Sequence, residues 1–340
     1  MKQVLTSLIV LLFTTAATAQ EASTKKELPF EVTGAVDAYY QYNFNGVAPG
    51  LTAFTPDHNS FSLGMAKVGI SREGKVGFGV DVAFGPRADV ANGYAGTTFG
   101  PIQQLYISYS PTDKLTFTAG NFGTHVGYEL IDAKDNFHYS TSYMFSYGPF
   151  YHTGLKADYQ VNDKLGLMVG IFNDTDNKFD VVDGKHFGAQ ISYGDVFLNY
   201  LTGTDGADST SFNQVDLTAA FDLSDKFSLG VNATSKMIND ERETEDVSWY
   251  GAALYLGYQA KENVGLGLRA EYFSDADAAI FGTPDLSIVE VTLSANIVID
   301  RLTLIPEFRI DSASSEFFTD ANGNATNASP RVVFAAVYAF

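Results

Sequence analysis

Few short motifs in this sequence carry residue types that could do chemistry. His138-Tyr139-Ser140 places a base two positions before a hydroxyl, which is the spacing of a nucleophile pair on a strand. Such a pair needs a third group to orient the base, for example an Asn about a dozen residues on, and that stretch holds aromatic residues and His152 instead. The sequence therefore predicts no catalytic residue and no enzyme.

Two acidic segments superficially suggest calcium loops. Asn173 to Asp180 and Asp205 to Asp208 are rich in oxygen donors, but neither keeps the full ligand spacing of a calcium loop that ends in Glu. The 5 histidines show no short metal-ligand spacing, and the absence of Cys from the sequence excludes thiolate metal sites and disulfides. We therefore expect no metal and no other cofactor.

The composition is acidic, aromatic and rich in glycine. The 340 residues include 40 Asp and Glu against 21 Lys and Arg, a formal net charge of −19, which argues against nucleic acid as a partner. The 19 Tyr, 27 Phe and 31 Gly favour one large β architecture, because aromatic residues suit a pleated surface. The acidity has two interpretations at this point: soluble exposed loops, or an interior that attracts cations.

The N-terminus predicts export. Lys2, the apolar stretch Val4 to Phe13 and the small residues Ala17-Thr18-Ala19 predict a signal peptide over residues 1–19, cleaved after Ala19. Residues 20–30 would then form a short N-terminal periplasmic segment. No later segment has the run of about eighteen apolar residues that a membrane-spanning helix needs. If the chain spans a membrane, it does so as strands.

Seven short polar turns recur along the chain, each between two segments in which apolar and polar residues alternate. Most contain an Asp or Asn, whose side chain hydrogen-bonds its own backbone in a turn. The turns are Arg72–Val76, Thr112–Leu115, Asn162–Leu165, Gly194–Asp195, Ser224–Phe227, Lys261–Val264 and Ile299–Leu302. Seven hairpins supply fourteen strands, and Glu31 to Asn45 and Arg331 to Phe340 bring the total to about sixteen.

The remaining connections are longer and polar, and they alternate strictly with the short turns. They are 46–60, 86–100, 123–149, 175–184, 203–211, 237–246, 274–284 and 313–329. Bacterial outer-membrane barrels have this asymmetry, with short periplasmic turns and long extracellular loops. We therefore predict an all-β fold: a transmembrane antiparallel up-and-down β-barrel of about sixteen strands over residues 31–340, with a long in-folded loop.

Alternation within the strands predicts which side chains face lipid and which face the interior. In 302–311, for example, apolar residues alternate with Glu307, Arg309 and Asp311. Charged side chains must avoid lipid, so they point inward whether they select a solute or merely keep the lumen wet. The residues predicted to line the pore are Asp37, Lys67, Asp81, Lys156, Asp158, Lys236, Arg269, Glu271, Glu290, Glu307, Arg309 and Asp311.

The longest mid-chain connection, Gly123 to Pro149, is the predicted in-folded loop. A barrel of about sixteen strands leaves an aqueous channel, and a charged loop folded into that channel would narrow it. The alternative is a surface loop packed on its neighbours. The residues predicted to form the constriction are His125, Tyr128, Glu129, Asp132, Lys134, Asp135, His138 and Tyr143.

Short motifs over most of the mature chain resemble a known family. They are the segments Gly34–Tyr40, Ile102–Tyr109, Phe117–Phe122, Gly127–Glu129 and His152–Gly154. In these segments the sequence is similar to the β-barrel porin-2 group described as OmpL-like, of Gram-negative outer membranes. The resemblance implies a porin-like outer-membrane barrel, with substrate and selectivity mostly unassigned, and it transfers no catalytic residue.

These patterns together predict a porin that allows passive diffusion of small hydrophilic solutes or ions through an aqueous lumen. It would lie in the outer membrane of a Gram-negative bacterium, in contact with lipid and lipopolysaccharide. Barrel-assembly machinery would recognise the C-terminal strand ending in Phe340, and a homotrimer is one oligomeric alternative. The main rival is a non-channel barrel that acts as an adhesin or a binding or structural protein through its extracellular loops. A soluble β protein is the third alternative.

Overall fold

The computed structural model describes residues 29–180, 184–205, 210–240 and 246–340. The predicted signal peptide and residues 20–28 of the predicted periplasmic segment lie outside the described residues. Most of what is described is strand. The strands are β1 (Glu31–Asn43), β2 (Ser60–Arg72), β3 (Val76–Phe84), β4 (Ile102–Thr112), β5 (Leu115–Gly123), β6 (Tyr151–Gln160), β7 (Leu165–Phe172), β8 (His186–Tyr193), β9 (Val196–Asp205), β10 (Thr210–Asp222), β11 (Phe227–Asp240), β12 (Val247–Lys261), β13 (Val264–Asp275), β14 (Leu286–Ile299), β15 (Leu302–Ala313), β16 (Phe318–Thr319), β17 (Ala325–Thr326) and β18 (Ala328–Ala339).

Within the described residues, β1–β15 and β18 form one closed antiparallel barrel of sixteen strands, which confirms the predicted all-β barrel and its strand number. Each strand pairs with its neighbours in sequence, and β18 closes the ring between β15 and β1. At this seam the backbones of Gly34 and Phe340 exchange two hydrogen bonds of 2.9 Å. Closure pairs both edges of the sheet, so the barrel presents no free strand edge.

All seven predicted short turns join consecutive strands at the predicted places. The longer connections lie at the other end of the barrel, and those after β9 and β11 differ most from the prediction because the strands continue further. β9 continues to Asp205 and β10 begins at Thr210, while β11 continues to Asp240. These extensions are rich in Ser, Thr and Asn, and pairing across the ladder, as in Ser211 opposite Asn239, compensates their lack of apolar alternation.

Some long connections contain short elements of their own. Helix α1 (Pro86–Asn92) follows β3 and begins with a proline at its first turn, where the missing amide hydrogen costs nothing. The segment between β5 and β6 contains a 3₁₀ turn, Ala133–Asp135, and helix α2 (Tyr143–Ser146). Strands β16 and β17 form a small hairpin between β15 and β18. None of the described helices is long and apolar enough to cross a membrane.

Outward and inward positions alternate along the barrel strands, as the sequence predicts. Outward apolar side chains are exposed, with Phe61 at 89% and Leu63 at 71%, which suits contact with lipid. Inward positions carry the charged and polar groups, most of them buried.

Inward glycines provide room for large rings. A Cβ at Gly230 would overlap the Tyr128 hydroxyl, and one at Gly267 would overlap the Phe137 ring. Both rings belong to residues of the segment between β5 and β6, so these glycines let that segment pack closely on the wall.

Candidate functional site

Arg269 of β13 is the centre of a buried charge network. Its guanidinium donates to Glu129 Oε1 at 2.6 Å and to the Ser140 carbonyl at 2.7 Å, and its Nε donates to Glu290 Oε2 at 2.9 Å. Glu129 and Ser140 belong to the segment between β5 and β6, whereas Glu290 belongs to β14. The arginine therefore holds two parts of that segment on the wall, with one wall carboxylate balancing its charge.

A second arginine pair extends the network toward the seam. Arg309 of β15 donates to the Thr141 carbonyl at 2.6 Å and to Asp311 Oδ1 at 2.8 Å. Arg331 of β18 donates to Asp311 Oδ2 at 2.8 Å, and the Tyr143 hydroxyl donates to the same carboxylate at 2.9 Å. Every donor here is charged or buried, which makes these hydrogen bonds among the strong ones in the molecule.

Two further wall carboxylates accept backbone amides from the same segment. Glu271 of β13 accepts from Tyr143 N at 2.7 Å and from Met144 N at 2.8 Å, and Glu307 of β15 accepts from Tyr139 N at 2.9 Å. We call the wall residues of this network the clamp. The clamp consists of Arg269, Glu271, Glu290, Glu307, Arg309, Asp311 and Arg331.

The same segment also contacts the wall formed by β1, β2 and β4. Asp132 forms an ion pair with Lys67 of β2 and accepts from Gln103 Nε2 of β4 at 2.7 Å. The Tyr139 hydroxyl donates to Asp37 Oδ2 of β1 at 2.6 Å. Arg87 of α1 lies on the Tyr139 ring and donates to its carbonyl at 3.3 Å. Helix α1 thus supports the segment from the side of the long connections.

A third contact lies on β10. Asp216 accepts from Gly127 N at 3.0 Å, from Asn199 Nδ2 at 2.8 Å and from Asn232 Nδ2 at 2.6 Å. Gln190 of β8 donates in turn to Asn199 Oδ1 at 2.7 Å. This amide chain runs across four neighbouring strands and fixes the beginning of the segment between β5 and β6.

His138 and Ser140, the predicted base and hydroxyl, have different hydrogen-bond partners. His138 Nδ1 lies 2.7 Å from Ser294 Oγ, and Arg269 Nη2 donates to Ser140 Oγ at 3.2 Å. Burial, and then the positive charges of Arg269 and Arg309, hold the pKa of His138 well below its usual range. The imidazole is therefore neutral, and its partner is the Ser294 hydroxyl of β14 and not the Ser140 hydroxyl of the predicted pair.

The charged pair on β6 has a different environment. Lys156 Nζ lies 3.1 Å from Asp158 Oδ2, and these side chains are 28% and 41% exposed. The Lys156 ammonium also lies 5.6 Å from the centre of the Phe122 ring. Both residues line a cavity of about 210 Å³ together with His125 and Gln190. They are the most accessible of the ion pairs formed by predicted pore-lining residues.

The other predicted pore-lining residues are less buried than the arginines of the clamp, and Asp81 is less exposed than the Lys156–Asp158 pair. Asp81 accepts from Lys67 at 3.1 Å and from Gln104 at 2.8 Å, so it joins the group around Asp132. Lys236 is half-buried, with its ammonium 4.2 Å from the centre of the Phe212 ring. Of the twelve predicted residues, those on β13–β15 are therefore brought together, and the rest are distributed around the wall.

The predicted constriction residues likewise divide into two groups, according to whether their partners are charged or polar wall side chains. Glu129, Asp132, His138 and Tyr143 have the buried wall partners described above. Of the others, two contact wall aromatics or backbone and two contact only each other. His125 Nε2 lies 3.1 Å from the Tyr200 carbonyl, the Tyr128 ring stacks on Tyr255 at 4.4 Å, and Lys134 pairs with Asp135 at 2.7 Å in an exposed position.

Comparison with known protein families finds one match, over residues 29–340, described as "Putative beta-barrel porin-2, OmpL-like". The chain belongs to this porin family. The resemblance inferred from short motifs is thereby confirmed. A search of curated proteins finds no match.

Solved outer-membrane proteins share the porin's fold at low sequence identity. The outer membrane channel DcaP of Acinetobacter baumannii aligns with a TM-score of 0.62 at 14% identity, covering 94% of this chain and 100% of that one. OprB of Pseudomonas putida, in its high-pH structure, gives 0.64 at 13%, covering 92% and 94%. An anion-selective porin from Comamonas acidovorans gives 0.60 at 12%, covering 92% and 99%. These identities show a common fold and no more.

Sequence reasoning missed several residues that hold the porin's inner structure. Arg331 and Asp216 alternate with apolar neighbours on β18 and β10, so the same period of two could have found them. Arg87 lies on a short helix in a connection, where alternation gives no signal. Among the described residues, no three His, Cys, Asp or Glu side chains are arranged to hold a metal ion.

Proposed function

We propose that this porin conducts small hydrophilic solutes or ions by passive diffusion through its lumen. The observation that carries the proposal is the closed sixteen-strand barrel with apolar outward and polar inward side chains. A ring of that size leaves an aqueous interior, whereas a ring of about eight strands is filled by its own side chains. The proposal assigns no bond-breaking step, no cofactor and no catalytic residue.

The segment 123–149 is proposed to fold into the lumen and narrow it. Its hydrogen bonds to Asp37, Asp216, Arg269 and Arg309 support this, because these side chains belong to the face of the wall opposite the lipid-facing residues. A surface loop would have no access to such partners. The twelve wall residues predicted from alternation are proposed to face the same interior.

The proposed membrane location of the protein follows from its membership of a porin family. We place the protein in a Gram-negative outer membrane, with its apolar outer surface against lipid and lipopolysaccharide and its signal peptide directing export. Barrel-assembly machinery is proposed to bind the C-terminal strand that ends in Phe340. These assignments are tested by detergent extraction of the membrane fraction and by the size of the mature N-terminus in mass spectrometry, which should begin after Ala19.

A homotrimer is the oligomeric state we propose. Strands β7 and β8 have 8 residues each, whereas β10, β11 and β12 have 13, 14 and 15. A β-strand that spans a bilayer needs about 9–11 tilted residues, and β7 and β8 are shorter than this. We therefore expect the outer surface of β7 and β8 to contact another copy of the protein and not lipid. One related fold, OmpT of Vibrio cholerae, is described in a trimer form. Cross-linking in mild detergent should give a trimer band, and a monomer alone would contradict this.

Conductance in planar bilayers tests the central proposal. Purified, detergent-folded protein should give stable current steps that grow with salt concentration, and the same sample heated until its gel mobility shifts should give none. If the folded protein gave no steps across a range of salts, the proposal would be wrong. The rival function, a non-channel barrel that binds a partner through its extracellular loops, would then be preferred.

A further inference from the structure

The contacts of the segment 123–149 indicate a course across the lumen. Near its beginning, Gly127 contacts Asp216 of β10 and Glu129 contacts Arg269 of β13. Only three residues after Glu129, Asp132 contacts β2 and β4. Strands β4 and β13 lie nearly opposite each other in the ring. The segment 123–149 therefore crosses the interior between β13 and β4. It divides the interior into two sectors, one on the side of β1 and one on the side of β5–β8.

The sector on the β14, β15, β18 and β1 side is filled. The clamp occupies it together with Tyr139 and Ser140, which are fully buried. Over β12 and β13, toward the long connections, an apolar cluster that includes Tyr143, Trp249 and Phe273 is equally buried. A cavity of about 510 Å³ bounded by Tyr128, Phe137 and Asn296 lies below, near the short turns. Residues 128–138 of the segment 123–149 close this cavity toward the long connections, so we regard it as a vestibule and not as a complete path.

The sector on the β5–β8 side contains a continuous recess. The cavity of about 210 Å³ next to Thr124 and His125 shares Asp158, Met168 and Gln190 with a second cavity of about 310 Å³. The second cavity extends to Asp113 and Lys114 in the turn between β4 and β5. The recess therefore extends along β6 from the beginning of the segment 123–149 to the periplasmic end of the barrel.

The charged side chains differ between the two sectors in their access to water. Arg269 and Glu290 are 0% exposed, and each has its charge balanced by buried partners. Lys156 and Asp158 point into the recess and remain partly exposed. A solute in the lumen interacts most strongly with charges that it can approach closely, because salt screens exposed charges beyond about 10 Å at 0.1 M and buried partners neutralise the clamp charges.

We propose that solutes pass along the β5–β8 wall and that Lys156 and Asp158, not the clamp arginines, set the ion preference of the channel. This inference rests on the proposed diffusion function and specifies which wall carries it. The recess is lined by two cations, Lys114 and Lys156, and two anions, Asp113 and Asp158, so its charge is balanced and the loss of either partner of the β6 pair shifts the ion preference.

Reversal potentials under a salt gradient test the pair directly. Asp158→Asn should lower the cation-to-anion permeability ratio about two- to fivefold at low salt, and Lys156→Gln should raise it by a similar factor. Asp195→Asn, in the exposed turn between β8 and β9, is the matched control and should leave the ratio unchanged. Heat-shifted gel mobility verifies that each variant is folded.

Thiol accessibility gives an independent readout, because the sequence contains no Cys. A charged methanethiosulfonate reagent should reduce the conductance of Asp158→Cys by about half or more. It should leave Thr292→Cys unchanged, since Thr292 lies beside Arg269 with no exposure.

The outcomes separate the two proposals. If the wild-type protein formed no channel, both would be overturned. If it conducted but neither β6 variant changed the permeability ratio, or if Thr292→Cys were blocked and Asp158→Cys were not, the path would lie elsewhere and the diffusion function would stand.

Discussion

Two walls of this barrel present charged side chains to the interior, and they differ in what covers them. On β13–β15, Arg269 and Arg309 are buried beneath the segment 123–149 and donate to its backbone, and buried Glu290 pairs with both arginines. On β6, Lys156 and Asp158 pair with each other and remain partly exposed, with the Lys156 ammonium near the Phe122 ring. The strand pattern that directs all five inward is the same. A charged, inward position in a barrel can thus serve either to anchor a loop or to meet a solute, and loop coverage decides which.

Replacing Arg269 should weaken the attachment of the segment 123–149 to strands β13–β15. Arg269→Met leaves Glu129 buried without its cation and leaves Glu290 with only the 3.5 Å contact to Arg309, and a broken buried pair typically costs about 3–5 kcal/mol of unfolding free energy. We expect a clearly lower temperature for the heat-induced gel shift, together with noisier current steps. Arg301→Met, an exposed arginine in the turn between β14 and β15, is the control. Equal thermal stability of the two variants would show that the clamp does not hold the segment.

A substitution of the buried Asp37 on β1 should lower stability without changing the ion preference, as expected for the clamp. Asp37→Asn weakens the acceptor for the Tyr139 hydroxyl and for Met65 N, so we expect a loss of about 1–3 kcal/mol in unfolding free energy. The ion preference should not change, because Asp37 is buried beneath the segment. Urea unfolding and reversal potentials measure the two effects. A change in permeability ratio as large as that of Asp158→Asn would erase the distinction between the walls.

A glycine tests how closely the segment packs. Gly230→Ala would push the Tyr128 ring away from β11, and overpacking of this kind costs about 1–3 kcal/mol. Gly123→Ala is the matched control, since no heavy atom lies within 4 Å of its added Cβ. Thermal unfolding of the two variants should differ accordingly. Equal midpoints would mean that Tyr128 moves freely and does not fix the segment.

The smallest expected effect concerns His125 at the rim of the recess. Burial lowers the pKa of His125 to about 4, so the folded protein keeps this imidazole neutral where the unfolded chain, with a pKa near 6.5, binds a proton. Stability must therefore fall as the pH decreases from about 6.5 toward 4. Between pH 7.5 and 5.8, wild type should lose about 1 kcal/mol more than His125→Gln in urea unfolding. If wild type and His125→Gln lost the same unfolding free energy, the pH dependence would come from a group other than His125.

Much of the barrel could be predicted because its signals are local. The seven turns and the alternation of faces depend on residues within a few positions of one another, and all seven turns are where the sequence places them. Which wall charges the segment 123–149 buries depends on residues that are far apart in the sequence. Arg269 and Glu129 are 140 positions apart, and nothing around either residue indicates that they meet. Lys156 and Arg269 therefore look alike in sequence, although only one of them is accessible.

The seam between β1 and β18 sets an order on assembly. Until these distant strands pair, both carry a row of unsatisfied amide and carbonyl groups, which hydrocarbon does not tolerate. Arg331 lies on β18 opposite Asn43 of β1, and it is also the clamp residue that binds Asp311. Tyr139 donates to Asp37 of β1 on one side of the seam and to Glu307 of β15 on the other, so these two contacts form together only when the ring is shut. We therefore expect the nascent barrel to close first around a wide interior, and the segment 123–149 to lock into it last.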